Sequence, residues 1–147
     1  MTKREIGENY FKQGYNCAQA VAITFADEMG IDKDFIAKTI SGFGGGFGRM
    51  REVCGAVSGM VFVLSALQGQ FNPTDSEGKM ATYQKVQALM KEFKEKNGTY
   101  ICRELLSLPE VNSEPTPEKR TETYYKKRPC ASLVGDACEI LENYFKA

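Results

Sequence analysis

The sequence contains no histidine. That absence excludes a Ser-His or Cys-His catalytic pair, a mixed Cys/His zinc site and a C-x-x-C-H haem attachment. A soft metal would have to be held by thiolates, with or without a carboxylate. Acid–base work near neutral pH falls to cysteines or to perturbed carboxylates and lysines. Charge of one sign is also missing: Lys+Arg and Asp+Glu both count 19, for a formal net charge of zero. A nucleic-acid binder would show a basic excess or stripe. Zero net charge leaves little repulsion between copies, so a homodimer is permitted.

Long apolar runs are absent as well. The most apolar stretch, Val53 to Leu67, is broken by glycines and serines. It falls short of the about 20 residues that span a bilayer, and reads as a buried core helix. The first residues, Met1-Thr2-Lys3-Arg4-Glu5, turn acidic before any signal-peptide core could form, so a cytoplasmic location is expected. Thiols stay reduced there, and five cysteines are then more readily reactive or metal-binding than a disulfide framework. No C-x-x-C pair exists, so neither a thioredoxin-like motif nor a zinc ribbon is present.

What is there is helical. A length of 147 residues suits one domain, 1–147, with one core. Apolar spacing predicts helices over Lys3 to Gln13, over Cys17 to Met29 behind an Asn16 cap, and through Phe35 to Ile40 behind Asp32 or Asp34. A long central helix is expected from Arg51 to Gln68, where Gly55 and Gly59 would let another backbone approach. A polar helix follows from Asp75 to Lys96, and then a short turn capped by Thr99 through Cys102 to Leu106. A proline-rich loop occupies Leu108 to Pro117, and a last helix runs from Pro129 to Phe145. No β-alternation of useful length appears. The expected fold is an all-α bundle of about five to six helices.

Four cysteines fall near helix starts. Cys17 follows the cap Asn16, Cys54 lies in the first turn of the central helix, Cys102 stands three residues after Thr99, and Cys130 follows Pro129. Unpaired N–H groups and the positive end of the helix dipole favour a thiolate at such positions and lower its pKa. Cys17 and Cys130 are expected to have the lowest values. Cys138 is mid-helix and reads as packing. Between Ser41 and Gly48 lie five glycines in eight residues. No strand precedes this run and no Lys-Ser/Thr follows it, so a nucleotide loop is weakly indicated. Gly44, Gly45 and Gly46 are instead expected to let the backbone pass close to another helix, a cofactor or a sulfur. Arg49 and Arg51 flank the loop, and Arg103 and Arg128 flank two cysteines; as a set they suit thiolates or an anionic cluster.

These motifs resemble one family. Tyr15-Asn16-Cys17-Ala18-Gln19-Ala20, Ser41-Gly42-Phe43-Gly44-Gly45-Gly46, Cys54-Gly55-Ala56-Val57-Ser58-Gly59, Cys102-Arg103-Glu104-Leu105-Leu106 and Cys130 follow the order of the redox-active family named C_GCAxxG_C_C. The likeness runs from about Tyr10 to the C-terminus. It implies a small helical bacterial or archaeal protein with four characteristic cysteines, here Cys17, Cys54, Cys102 and Cys130. Related helical domains occur in haem proteins resembling split-Soret cytochromes, but this chain has no haem-ligating motif.

Three functions follow as expectations. The first is thiol–disulfide chemistry with a redox partner protein or a small thiol. The second is a zinc or iron–sulfur site on the same four cysteines. The third is a helical scaffold in which buried cysteines only pack.

Overall fold

The computed structural model describes residues 1–112 and 114–146; Ser113 and Ala147, which belong to the expected 1–147 domain, lie outside the described residues. Among the described residues the chain forms ten α-helices, a 3₁₀ turn at Ser41–Phe43 and no strand beyond one isolated bridge. The all-α class therefore holds, but the five to six expected helices become ten. Short elements account for the difference, because four-residue turns leave no apolar periodicity to read.

Helix α1 (Lys3–Lys12) is capped by Thr2, whose side chain accepts from the Glu5 backbone N–H. Helix α2 (Cys17–Thr24) has a capping box, with the Asn16 side chain on Gln19 N at 2.9 Å and the Gln19 side chain on Asn16 N at 3.0 Å. Ala18, Ala20, Val21, Ala22 and Ile23 are all buried, so α2 is a core helix. It does not continue to Met29 as one piece. Thr24 donates its hydroxyl back to the Ala20 carbonyl, Phe25 leaves helical geometry, and α3 (Ala26–Met29) follows as a separate turn. Helix α4 (Lys33–Thr39) is capped by Asp32.

The glycine run forms the 3₁₀ turn and a tight turn, α5 (Gly44–Phe47), in which Gly45 and Gly46 take left-handed φ of 66° and 72°. The expected start of the central helix at Arg51 is corrected here: α6 spans Gly55–Gln68, behind Cys54. Residues 49–54 are held elsewhere. Arg49 and Arg51 have φ of 66° and 61°, and Val53 bridges antiparallel to Ile101. Gly59 allows α2 to close on α6: a Cβ there would stand 2.8 Å from the Ala18 carbonyl oxygen.

Helix α7 (Ser76–Asn97) packs Leu89 and Phe93 inward and ends at Gly98 in left-handed geometry. A four-residue helix, α8 (Cys102–Leu105), comes next. The described part of 108–117 forms no helix, and α9 (Glu122–Lys127) follows behind a Thr121 cap. Helix α10 (Cys130–Lys146) lays a stripe of Leu133, Val134, Ala137, Ile140 and Leu141 against the core. Its main neighbour is α1. At their crossing Gly7 lies against Cys138, and Arg4 bonds Asp136 and Glu139. The packing of α1, α2, α6 and α10 brings the starts of α2, α6 and α10 to one end of the molecule.

Candidate functional site

At that end lies a cavity of about 350 Å³, lined by Cys17, Cys54, Cys102 and Cys130 together with Gly44, Gly45 and Gly46. Each cysteine reaches it by a different local device. The capping box fixes the first turn of α2 and so Cys17. The Pro129 carbonyl accepts from Leu133 N at 2.9 Å, which places Cys130 at the first position of α10. Cys54 and Cys102 come as a pair through the Val53–Ile101 bridge. Cys54 N donates to Tyr100 O at 2.8 Å, and Cys102 N donates to Glu52 O at 2.6 Å.

The position expected for Cys102 shifts accordingly. Ile101, not Thr99, is the cap, and Cys102 is the first helical residue of α8. The Thr99 hydroxyl is spent on Ile101 N and on Glu104. Gly46 is required beside Cys102, because a Cβ at that glycine would lie 2.7 Å from the Cys102 Cβ and 2.7 Å from Glu52 N. Gly44 meets Asn16 in the same manner, with a Cβ only 2.5 Å from its side chain. The glycine run thus seats the backbone against the caps and turns that carry Cys17 and Cys102.

All five thiols are free, and Cys54, Cys102 and Cys130 are buried while Cys17 keeps partial exposure. Cys138 is fully buried against Gly7 and does not line the cavity. The helix starts do not lower every thiol pKa as expected. Cys17 is raised well above the ordinary value near 9, because its thiol hydrogen-bonds Cys130 and is buried among three other sulfurs. Burial raises Cys54 to about 12 and raises Cys102 against the pull of Arg51. Cys130 alone falls, to about 7. It accepts from Cys17 and then from Tyr124, and Arg128 and Arg51 add their charge. Hydrogen bonds to one sulfur outweigh the dipole here, and they place the thiolate on one partner of the pair.

Four arginines line the cavity, and three of them make bonds from or to residues 114–128. Arg49 donates to the carbonyls of Glu114 and Thr116. Arg120 donates to the carbonyls of Phe11 and Tyr15 and stacks on the Phe11 ring at 4.1 Å. Arg128 pairs with Glu118 at 3.1 Å. Arg51 is buried and points its Nη1 at Cys102 Sγ, 3.7 Å away. Arg103, which the sequence grouped with these, pairs with Glu52 and is not part of the cavity wall.

Sequence reasoning missed Tyr124 and Arg120. Both belong to 117–129, a charged stretch without apolar spacing. The signal available was Thr121 with Glu122 after it, an N-cap followed by an acidic first turn. Among the described residues no three Cys, Asp or Glu side chains are grouped closely enough to hold a metal ion. The four thiols line one space without forming a ready chelate for a single ion. No helix of the described residues is long and apolar enough to cross a membrane.

The family model described as "Putative redox-active protein (C_GCAxxG_C_C)" matches residues 15–144, so the chain belongs to that family. No match was found among curated proteins or among solved structures.

Proposed function

We propose that the protein performs thiol–disulfide exchange with Cys130 as the attacking thiolate and Cys17 as the resolving thiol. The observation that carries this reading is the convergence of four thiols from four separate segments on one cavity, where Cys17 and Cys130 shift each other's acidity in opposite directions. In the first step the Cys130 thiolate attacks one sulfur of a disulfide RS–SR. A Cys130–S–S–R bond forms, and RS⁻ leaves and takes up a proton. In the second step Cys17 gives up its proton and attacks Cys130 Sγ, and the second RS⁻ departs. The two cysteines supply two electrons, so RS–SR becomes two RSH and the protein gains one disulfide. A reducing compartment such as the cytoplasm would regenerate the dithiol. Cys54 and Cys102 line the same space as a reserve pair, held protonated by burial.

The test is mild oxidation of the reduced protein followed by peptide mapping under non-reducing conditions. A Cys17–Cys130 crosslink that dithiothreitol reverses is expected, and Cys130→Ser should abolish it. Five unreacted thiols after oxidant treatment would overturn the reading in favour of a scaffold with packed cysteines. A zinc ion needs three or four ligands within bonding reach of one point, and no such group of Cys, Asp or Glu stands among the described residues. Metal analysis of anaerobically purified protein discriminates. Stoichiometric iron with visible charge-transfer bands would replace the dithiol reading by a cluster.

A further inference from the structure

Arg51 is the exception among the arginines of the cavity. Its residue is 9% exposed, and a buried cation is costly unless paired. Arg49 and Arg120 are satisfied by carbonyls, and Arg128 by a carboxylate. Among the described residues Arg51 has no carboxylate partner; its side-chain bond is the long one to the Cys102 thiol. The chain nevertheless holds Arg51 in left-handed backbone geometry, φ 61°, directly after the glycine turn. Its amide is tied to Gly45 O at 3.1 Å and its carbonyl to Arg103 N at 3.2 Å. The guanidinium is therefore presented to the cavity by a fixed turn, with donors left over for a planar anion.

We propose that the cavity receives a small carboxylate-bearing thiol or disulfide, with its carboxylate on Arg51 and its sulfur facing the Cys17–Cys130 pair. The sulfur part rests on the thiol–disulfide reading above; the carboxylate part rests on Arg51 alone. The planar guanidinium matches a carboxylate in a two-point fork. A cavity of about 350 Å³ takes a small molecule. Cys130, the attacking thiol, is only 9% exposed, which favours a small disulfide over one on a bulky protein surface. Phe11, Leu105, Leu106 and Leu133 supply an apolar wall for the methylenes between carboxylate and sulfur.

The experiment has a binding arm and an exchange arm, both on the reduced full-length chain. Calorimetry compares 3-mercaptopropionate with 2-mercaptoethanol, which are close in size and differ in the carboxylate. The wild type should bind the acid about tenfold more tightly, as expected for one charge-assisted fork. Arg51→Gln should lose that preference and Arg51→Lys should keep part of it, which separates lost charge from lost fold. Equal binding of acid and alcohol by the wild type, or a preference unchanged in Arg51→Gln, overturns the carboxylate site. The exchange arm measures reduction of 3,3′-dithiodipropionate and of 2-hydroxyethyl disulfide. Faster reduction of the diacid, with the ratio falling in Arg51→Gln, is the expected result. Exchange without any charge preference sinks the Arg51 site and leaves the thiol chemistry. Tight acid binding without exchange sinks the thiol chemistry and leaves the Arg51 site.

Discussion

Cys17 and Cys130 open two different helices, α2 and α10, and line the same cavity. Because each thiol shifts the ionisation of the other, neither titrates on its own. Cys130 gives up its proton first, since Tyr124 and two arginines also face it, and Cys17 keeps its own as the donor. Alkylation of the reduced protein against pH, followed residue by residue, should give Cys130 a midpoint about 7. Cys17, Cys54 and Cys102 should react only well into the alkaline range. Replacing either donor, by Cys17→Ala or Tyr124→Phe, should move the Cys130 midpoint upward. A midpoint unmoved by both changes would show that the hydrogen bonds are not its cause.

The helix that carries Cys17 was legible because its cap, Asn16, and its box partner, Gln19, are local signals. The pairing of Cys54 with Cys102 was not. It depends on a single bridge between Val53 and Ile101, residues 48 positions apart, and on two arginines with positive φ that leave no trace in apolar spacing. The same bridge explains why α6 starts at Gly55 although the apolar pattern begins earlier. The order of thiol acidities was misjudged for Cys17 for a related reason. Helix position is readable from sequence, whereas the sulfur that receives a hydrogen bond is set by tertiary contact.

Gly46 and Gly48 both have positive φ but differ in surroundings, and a matched pair of alanine variants separates the two effects. At Gly48, φ 57°, a Cβ meets nothing within 4 Å, so Gly48→Ala should cost only about 1 kcal/mol of backbone strain. At Gly46 the same strain adds to contacts of 2.7 Å with Cys102 and Glu52. Gly46→Ala should cost upwards of about 3 kcal/mol and disturb Cys102 reactivity. Urea unfolding under reducing conditions measures the difference. Equal costs would mean that the loop does not depend on close approach to Cys102.

Cys138 is fully buried between α1 and α10 and belongs to the packing, not the cavity. Cys138→Ala should lower stability by about 1 kcal/mol, the loss of one buried sulfur contact, while the alkylation profile of Cys130 stays in place. Cys138→Val pushes a branched side chain toward Gly7 and should cost more. Appearance of Cys138 in an oxidation-induced disulfide would move it into the reactive set.

The thiols also impose a pH profile on folding, with opposite signs on the two sides of the ordinary thiol value near 9. Cys130 has its native pKa lowered to about 7, so between 7 and 9 the native state has released a proton that the unfolded chain still holds. Stability from this group is full above 9 and is lost as pH falls through 7. Cys54 and Cys138 have theirs raised to about 12, so between 9 and 12 the native state keeps protons that the unfolded chain has lost. Stability from these two is full below 9 and is lost as pH rises toward 12. Each group contributes at most about 1.4 kcal/mol per pH unit within its window. Unfolding free energies of the reduced protein across that range should therefore show a rising and then a falling thiol component. Cys130→Ala should flatten the rising limb, and Cys138→Ala should remove up to one proton's worth of slope from the falling limb. Lysines and tyrosines titrate in the alkaline window too, and the comparison of variant with wild type cancels them. An alkaline slope identical in wild type and Cys138→Ala would mean that the buried thiol ionises in the native state as readily as in the unfolded chain.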